Sequence, residues 1–288
     1  MASTQGEHPT LATPSRAGRA RRGLEVTATV AIWMALGFLF HLSVIGYQLT
    51  GVVLVVAFQL LLRRRPLREL WVREGPPFRL DAAGWSIAVL LAAWPLFHAV
   101  QDLRAGDSAT NLAAHLAAAA GAIPAAYALR SFRRNTLRPL LLCLAIPGAL
   151  GIAMMIAGGA IAGNIVHRSL GERLAIGIDS LLLYVPLVFV FEEVSFRGAF
   201  DSHLQQPGEP GEWLSAIWVS VLWGLWHVPV TRAMAPLPRL IVNNVFVCCV
   251  IGVPFSFFWR RSGNLFVTGW THAVVDAVRN SFLVLLFR

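Results

Sequence analysis

Charged residues are scarce in this chain. Only 14% of its 288 residues are charged and 56% are hydrophobic, whereas about a quarter of the residues of a typical soluble domain are charged. The mean hydropathy is +0.62, and no polar segment is long enough to form a domain. The composition therefore argues against an ordinary soluble domain and predicts a polytopic membrane protein.

Cysteines are also few, and common catalytic motifs are missing. Cys143, Cys248 and Cys249 lie in apolar stretches, without a CxxC pair or an even set at loop positions. Neither a disulfide framework nor a thiolate metal site is therefore indicated, and we expect the three cysteines to be small buried residues. No Walker loop, GxGxxG, HExxH or GxSxG motif occurs, so none of the enzyme classes that these motifs mark is indicated.

Lysine is absent altogether: all 24 basic residues are arginine, and the formal net charge is +9. The lack of lysine hints at a bacterial source. The arginines form short clusters between apolar spans, without zinc-finger spacing, a basic helix or an aromatic-interleaved basic strand. We therefore expect no nucleic-acid partner, and expect the arginines to orient the protein against the lipid bilayer.

Long apolar runs dominate what is present. Residues 1–23 are polar and arginine-rich and predict a disordered N-terminal tail. The run from Leu24 to Leu62 is too long for one crossing and predicts a helical hairpin, interrupted at "GYQLTG". Further spans are predicted near 85–100, 109–129, 139–162, 175–194, 213–230, 239–259 and 264–286. We therefore predict an all-α, polytopic transmembrane helical bundle of eight or nine helices, divided into N-terminal helices over 24–170 and a core over 171–288.

The distribution of arginine predicts the orientation of these spans. Clusters at 16–22, 63–68, 130–138 and 260–261 fall on one side if nine spans alternate. The positive-inside rule then places the N-terminus and the "SFRG" end of the sixth span in the cytoplasm. This is the arrangement expected of an integral multi-pass protein of a bacterial cytoplasmic (inner) membrane.

Three of the last four spans carry polar groups that a lipid-facing helix would avoid. "FVFEEVSFRG" holds Glu192, Glu193 and Arg197, and Glu193 and Arg197 have the spacing of an intrahelical ion pair. "WGLWHVP" ends in His227, and "WTHAVVDAV" places His272 and Asp276 one turn apart. A charge at mid-bilayer costs roughly 2.5 to 3.5 kcal/mol on insertion scales, so such residues are candidates for function.

Each of these features also has a purely structural interpretation. The Glu193–Arg197 pair could anchor a helix end, His227 could be a packed core residue, and His272 and Asp276 could form a local hydrogen bond. Together, however, these features predict a polar pocket. The helices that carry the unpaired acid, the two histidines and the second acid are able to face one another.

Two chemistries fit these side chains. Glu192 could take a proton from a water molecule held by His227, while His272 polarises a carbonyl group. Alternatively Glu192, His227, His272 and Asp276 could bind a metal, and two histidines with carboxylates suit zinc. The sequence leaves both alternatives open.

The three motifs, in this order, resemble the CPBP family of CAAX-protease, bacteriocin-processing and Abi intramembrane proteases, which includes the Ras-converting CAAX endopeptidase. The family signature of EExxxR, FxxxH and HxxxN or HxxxD corresponds here to Glu192-Glu193-x-x-x-Arg197, Trp223-x-x-x-His227 and His272-x-x-x-Asp276. Trp223 replaces the usual Phe, and Asp276 replaces the Asn of eukaryotic members. The resemblance covers about residues 175–286.

The resemblance implies an intramembrane endopeptidase that hydrolyses a peptide bond of a membrane-associated protein or peptide. It implies that Glu192 activates water, that His227 assists, that His272 and Asp276 serve the oxyanion or a metal, and that Glu193 and Arg197 support the site. An ionised Asp276 could not donate to an oxyanion, so it would need a proton or another role.

Two other classes of function stay open on the sequence alone. One is a non-catalytic membrane adaptor or bacteriocin self-immunity protein, a role also associated with this family. The other is a proton-coupled transporter, which the missing internal repeats and the clustered charges disfavour.

Overall fold

The computed structural model describes residues 16–206, 208–209 and 211–283, and the part of the chain that it describes is a bundle of helices without strands. The longer elements are α1 (Arg16–Leu39), α2 (Val44–Ala57), α3 (Ala82–Ala105), α4 (Ala109–Arg130), α5 (Arg134–Cys143), α6 (Ala149–Ile161), α7 (Leu170–Leu187), α9 (Glu212–Trp226), α11 (Leu237–Ser262) and α12 (Phe266–Phe282). Two short helices, α8 (Ser202–Leu204) and α10 (Val228–Thr231), complete the set. Turns of π-helix continue α2 over Phe58–Leu62, join α5 to α6 over Leu144–Gly148, and precede α8 over Val194–Asp201.

Seven helical segments among the described residues are long and apolar enough to cross a membrane. They are Ala17–Leu39, Val44–Leu62, Ala82–Ala105, Ala109–Arg130, Arg134–Ile161, Glu212–Thr231 and Leu237–Ser262. The helices α7 and α12 run alongside them and pack against each other. The predicted all-α transmembrane bundle is thus confirmed as a fold class.

The N-terminal region differs from the sequence prediction in two places. The helix α1 begins at Arg16, so residues 16–23 are helical rather than part of a disordered tail, because Arg21 pairs with Glu25 and Arg22 with Glu209. Residues 1–15 of the predicted tail lie outside the described residues.

The second difference is the position of the hairpin turn. The chain turns at 40–43, where Ser43 caps α2 by accepting a hydrogen bond from the Gly46 amide. The polar stretch "GYQLTG" therefore lies inside α2. It is tolerated there because its side chains face the protein: the Tyr47 hydroxyl donates to the Trp226 carbonyl oxygen at 3.0 Å.

The helical segments alternate in direction, which gives the bundle two end faces. At one end the Leu265 amide donates to the Trp71 carbonyl oxygen, and the Asn264 side chain donates to the Ala128 carbonyl oxygen. The arginine clusters 16–22, 63–68, 130–138 and 260–261 lie at this end, the arginine-rich face. At the other end the Val166 amide donates to the Phe282 carbonyl oxygen. Among the described residues, this arginine-poor face carries isolated arginines near helix ends, which are Arg104, Arg168, Arg173, Arg232, Arg239 and Arg279.

A close helix contact fixes the end of α9 against α11. A Cβ on Gly224 would lie 2.6 Å from Val245 Cα and 2.8 Å from the Asn244 carbonyl oxygen, both of them backbone atoms. We expect Gly224→Ala to destabilise the protein by about 1–3 kcal/mol, because the two helices must separate to admit the methyl group. Thermal unfolding in detergent measures this loss.

Gly158→Ala is the matched control, because its Cβ would meet nothing within 4 Å. An equal loss of stability in both variants would contradict the packing argument.

Candidate active site

The stretch "FVFEEVSFRG" lies where α7 is broken. The helix ends at Leu187, and the predicted continuous span 175–194 is therefore wrong over its last turns. The Phe189 amide bonds to the Pro186 carbonyl oxygen, and the Trp71 indole donates to the Phe189 carbonyl oxygen at 2.8 Å. These bonds satisfy backbone groups that the break frees, and the chain then continues as a π-helix over Val194–Asp201. Such π-turns occur frequently at functional sites.

The break turns Glu192 towards two other helices. Its Oε2 accepts a hydrogen bond from the Trp223 indole at 3.0 Å and lies 3.6 Å from His227 Nε2. Its Oε1 lies 3.5 Å from the side-chain nitrogen of Gln48, on α2. The side chain of Glu192 keeps 18% of its surface exposed and that of His227 keeps 26%, so both can reach solvent or a ligand.

A hydrogen bond to the last turn of α9 orients the His227 ring. Its Nδ1 lies 2.8 Å from the Trp223 carbonyl oxygen, one turn earlier, so Nδ1 carries a proton and donates. In the neutral ring, Nε2 is then an unprotonated acceptor directed at Glu192. The Cys248 sulfur lies 3.8 Å from Nδ1, so this cysteine, predicted to be only a buried apolar residue, also borders the site.

Glu193 and Arg197 lie beneath the Glu192–His227 pair and are completely buried. Glu193 Oε2 lies 3.9 Å from Arg197 Nε, as the four-residue spacing predicts. The guanidinium also lies 4.9 Å from the Trp223 ring centre, a cation–π distance. Gly252 leaves room for it, because a Cβ there would come within 2.8 Å of Arg197 Nη2.

Glu193 has a second partner that the sequence did not suggest. Its Oε1 lies 3.1 Å from His272 Nδ1, so the buried carboxylate sets the orientation of this ring. His272 Nε2 lies 3.7 Å from Asp276 Oδ2, which is too long for a hydrogen bond.

Asp276 is held by an arginine. Its Oδ1 lies 2.9 Å from Arg279 Nη1, three residues further along α12. The Asp276 carboxyl therefore lies between Arg279 and the His272 ring, where it can accept hydrogen bonds.

The structure thus brings all six predicted residues together and adds Gln48, Trp223 and Arg279. Gln48 lies in the polar interruption "GYQLTG" of an apolar run, and the sequence pattern there predicts a break between two helices rather than a contact with the site. Trp223 was predicted only as bulk, yet its indole donates to Glu192. Arg279 follows Asp276 at helical i,i+3 spacing, which could have predicted the ion pair.

The donor set does not fit a metal ion. Across residues 16–206, 208–209 and 211–283, no group of three or more His, Cys, Asp or Glu side chains is arranged to hold one. Glu192 with His227 and Glu193 with His272 form two separate pairs, and Asp276 is engaged by Arg279. The zinc alternative therefore does not agree with this arrangement of Glu192, His227, His272 and Asp276.

Comparison with known proteins gave a match for one part of the chain. Residues 175–278 match the family described as type II CAAX prenyl endopeptidase Rce1-like. Neither the curated proteins nor the solved structures gave a match. The family match confirms the resemblance found from the motifs and supports an intramembrane protease of the CAAX type, in an integral multi-pass membrane protein.

Proposed function

We propose that this chain, whose residues 175–278 match the Rce1-like family of CAAX-type proteases, is an endopeptidase that uses Glu192 as its general base. The observation that carries the proposal is the difference between two adjacent acids. Glu193 is buried and engaged by Arg197 and His272, whereas Glu192 is partly exposed and faces His227 from another helix. A carboxylate and an imidazole acceptor on two helices suit the binding of a water molecule between them.

The first step is attack of water on the peptide carbonyl. Glu192 takes one proton from the water, and His227 Nε2 accepts a hydrogen bond from the other, which orients the oxygen. The oxygen bonds to the carbonyl carbon, and the carbonyl electron pair moves onto its oxygen. The product of this step is a tetrahedral oxyanion, with the proton held on Glu192.

His272 stabilises the oxyanion in this proposal. Its Nδ1 donates to Glu193, so donation from Nε2 requires the imidazolium form of the ring. The carboxylates of Glu193 and Asp276 lie on either side and balance that positive charge. Glu193, Asp276, Arg197 and Arg279 then act as positioning residues.

In the second step the carbon–nitrogen bond breaks. The oxyanion electrons re-form the carbonyl group, and Glu192 passes its proton to the leaving nitrogen. The products are a new carboxyl terminus and a new amino terminus, and Glu192 returns to its carboxylate form. The substrate class is a membrane-associated protein or peptide.

The test of this function is cleavage of a membrane-peptide library by the purified protein in detergent. We expect cleavage by the wild-type protein, with and without a chelator, and cleavage slowed by at least about 10²-fold in Glu192→Gln. Loss of activity with the chelator would contradict the metal-free mechanism. Equal turnover by Glu192→Gln would overturn the catalytic assignment, and no turnover by any sample would favour the adaptor or self-immunity alternative.

Gln48 offers a more specific prediction, since it lies outside the residues that match the family. Its side-chain nitrogen faces Glu192 Oε1. We expect Gln48→Leu to slow peptide hydrolysis roughly tenfold, because a hydrogen bond to a charged group is lost. Steady-state kinetics on the best library peptide measures the effect.

Thr50→Val is the matched control on the same helix. The Thr50 hydroxyl donates to the Gly46 carbonyl oxygen and not to the site. If Thr50→Val slowed the reaction as much as Gln48→Leu, the role of Gln48 would be wrong.

A further inference from the structure

The proposed reaction gives the oxyanion one side-chain donor, the imidazolium of His272. Asp276 lies beside that ring and is held by Arg279 Nη1 at 2.9 Å. A carboxylate accepts hydrogen bonds and cannot donate one. Because oxyanions in acyl transfer are stabilised by several donors aimed at the same oxygen, a donor on a neighbouring helix would complete the site.

The packing of α7 on α12 brings Tyr184 next to Asp276. The Asn280 side chain donates to the Ser180 hydroxyl at 3.2 Å, which fixes the register of the two helices. They run antiparallel, as the antiparallel bridge between the residues that flank them shows. Tyr184 is one turn further along α7 than Ser180, and Asp276 is one turn before Asn280 on α12. The two side chains therefore lie at the same level of the bundle.

The hydroxyl group of Tyr184 meets the polar end of α12. The Arg279 guanidinium and the Asn280 side chain form hydrogen bonds with it. Because a guanidinium can only donate, the phenol oxygen accepts this bond, and its own proton is left for another acceptor. Hydrogen bonds in such a chain polarise one another, which strengthens the phenol as a donor. The side chain of Tyr184 is only partly buried, so a ligand can reach it.

Tyr184 also borders the space in front of Glu192. Both the Tyr184 hydroxyl and the Arg279 guanidinium lie close enough to Glu192 for an electrostatic interaction, and so does His272. The acid that activates water, the imidazole and the phenol thus surround one space, although three different elements carry them. A carbonyl carbon attacked by water at Glu192 would direct its oxygen towards His272 and Tyr184.

We propose that Tyr184 is a further catalytic residue, whose hydroxyl donates a hydrogen bond to the oxyanion beside His272. This inference rests on the proposed function and adds a second donor to it. The chain has three tyrosines, and the other two are engaged elsewhere. The hydroxyl groups of Tyr47 and Tyr127 donate to backbone carbonyl oxygens at 3.0 and 2.6 Å.

The first test is steady-state hydrolysis of the best library peptide by Tyr184→Phe. We expect kcat to fall by about 10²-fold, as for the loss of one oxyanion donor. KM should change little, because the bond forms only in the transition state. Tyr127→Phe is the matched control: it loses a bond near the arginine-rich face, and should lower the unfolding temperature while kcat stays at the wild-type value.

Glu192→Gln, measured in the same series, separates this inference from the proposed function. Slow hydrolysis by Glu192→Gln together with a wild-type kcat in Tyr184→Phe would overturn the role of Tyr184 and leave the protease intact. Wild-type rates in both variants would contradict the proposed function, and the inference with it.

A second test changes the acidity of the phenol and keeps its ring. In Tyr47→Phe/Tyr127→Phe, Tyr184 is the last tyrosine of the chain, so growth on difluorotyrosine modifies this position alone. Fluorine makes the phenol more acidic, and an ionised phenol cannot donate. We therefore expect the fall of kcat at alkaline pH to begin at a lower pH than in the same variant with ordinary tyrosine. An unchanged pH profile would overturn the inference and assign Tyr184 to the packing of α7 on α12.

Discussion

Glu192→Gln is expected to lower the rate of peptide hydrolysis by about 10²- to 10⁴-fold, the usual contribution of a general base. The amide keeps the shape of the side chain and can still accept from the Trp223 indole, but it cannot take a proton from water. The loss should appear in kcat, with little change in KM or in the unfolding temperature. Steady-state kinetics in detergent, together with thermal unfolding, measures both quantities.

Glu212→Gln is the control for this substitution. Glu212 is an exposed acid in the first turn of α9, at the arginine-rich face and far from the cluster along the same helix as His227. It should retain wild-type kinetics. If both variants lost activity equally, or if Glu192→Gln unfolded, the assignment of Glu192 as base would lose its support.

The second large effect concerns the buried ion pair beneath the site. Arg197→Met should destabilise the protein by about 3–5 kcal/mol, because it leaves the Glu193 carboxylate buried without its arginine. The double variant Glu193→Gln/Arg197→Met removes both charges and should recover most of that stability. Thermal unfolding of the three proteins in the same detergent gives the comparison.

The rate of peptide hydrolysis shows whether Glu193 positions the catalytic groups or only stabilises the fold. The double variant should stay slow in peptide hydrolysis even when it is stable, because His272 has lost the carboxylate that orients it. Arg239→Met, at an exposed arginine near the start of α11, should change neither property. Full activity in the stable double variant would contradict the positioning role of Glu193.

The sequence was sufficient to predict the helical class and to single out the residues of the candidate site. Long apolar runs fix the helices because the bilayer requires every backbone polar group to be bonded internally. The six polar residues could be singled out because charge is so unfavourable in that setting. Their motif spacing then indicated the family, which the match to residues 175–278 confirms.

The local backbone could not be predicted in the same way. Nothing in "FVFEEVSFRG" reveals that α7 ends at Leu187, since the break depends on a distant partner, the Trp71 indole that bonds to the Phe189 carbonyl oxygen. The same holds for the 46–51 stretch, which reads as a turn until Glu192 and Trp226 are known to face it. Polarity within an apolar run marks either a turn or a buried polar contact, and tertiary packing decides between the two.

The most direct test of the central claim is a single turnover in water enriched in ¹⁸O, with the new carboxyl terminus analysed by mass spectrometry. If Glu192 acts as a base, the attacking oxygen comes from water, and the product of the first turnover carries one ¹⁸O. If Glu192 instead attacked the carbonyl itself, water could open the resulting anhydride at the glutamate carbon and leave a glutamate oxygen in the product. An unlabelled first product would therefore contradict the account, and a labelled one is what it predicts.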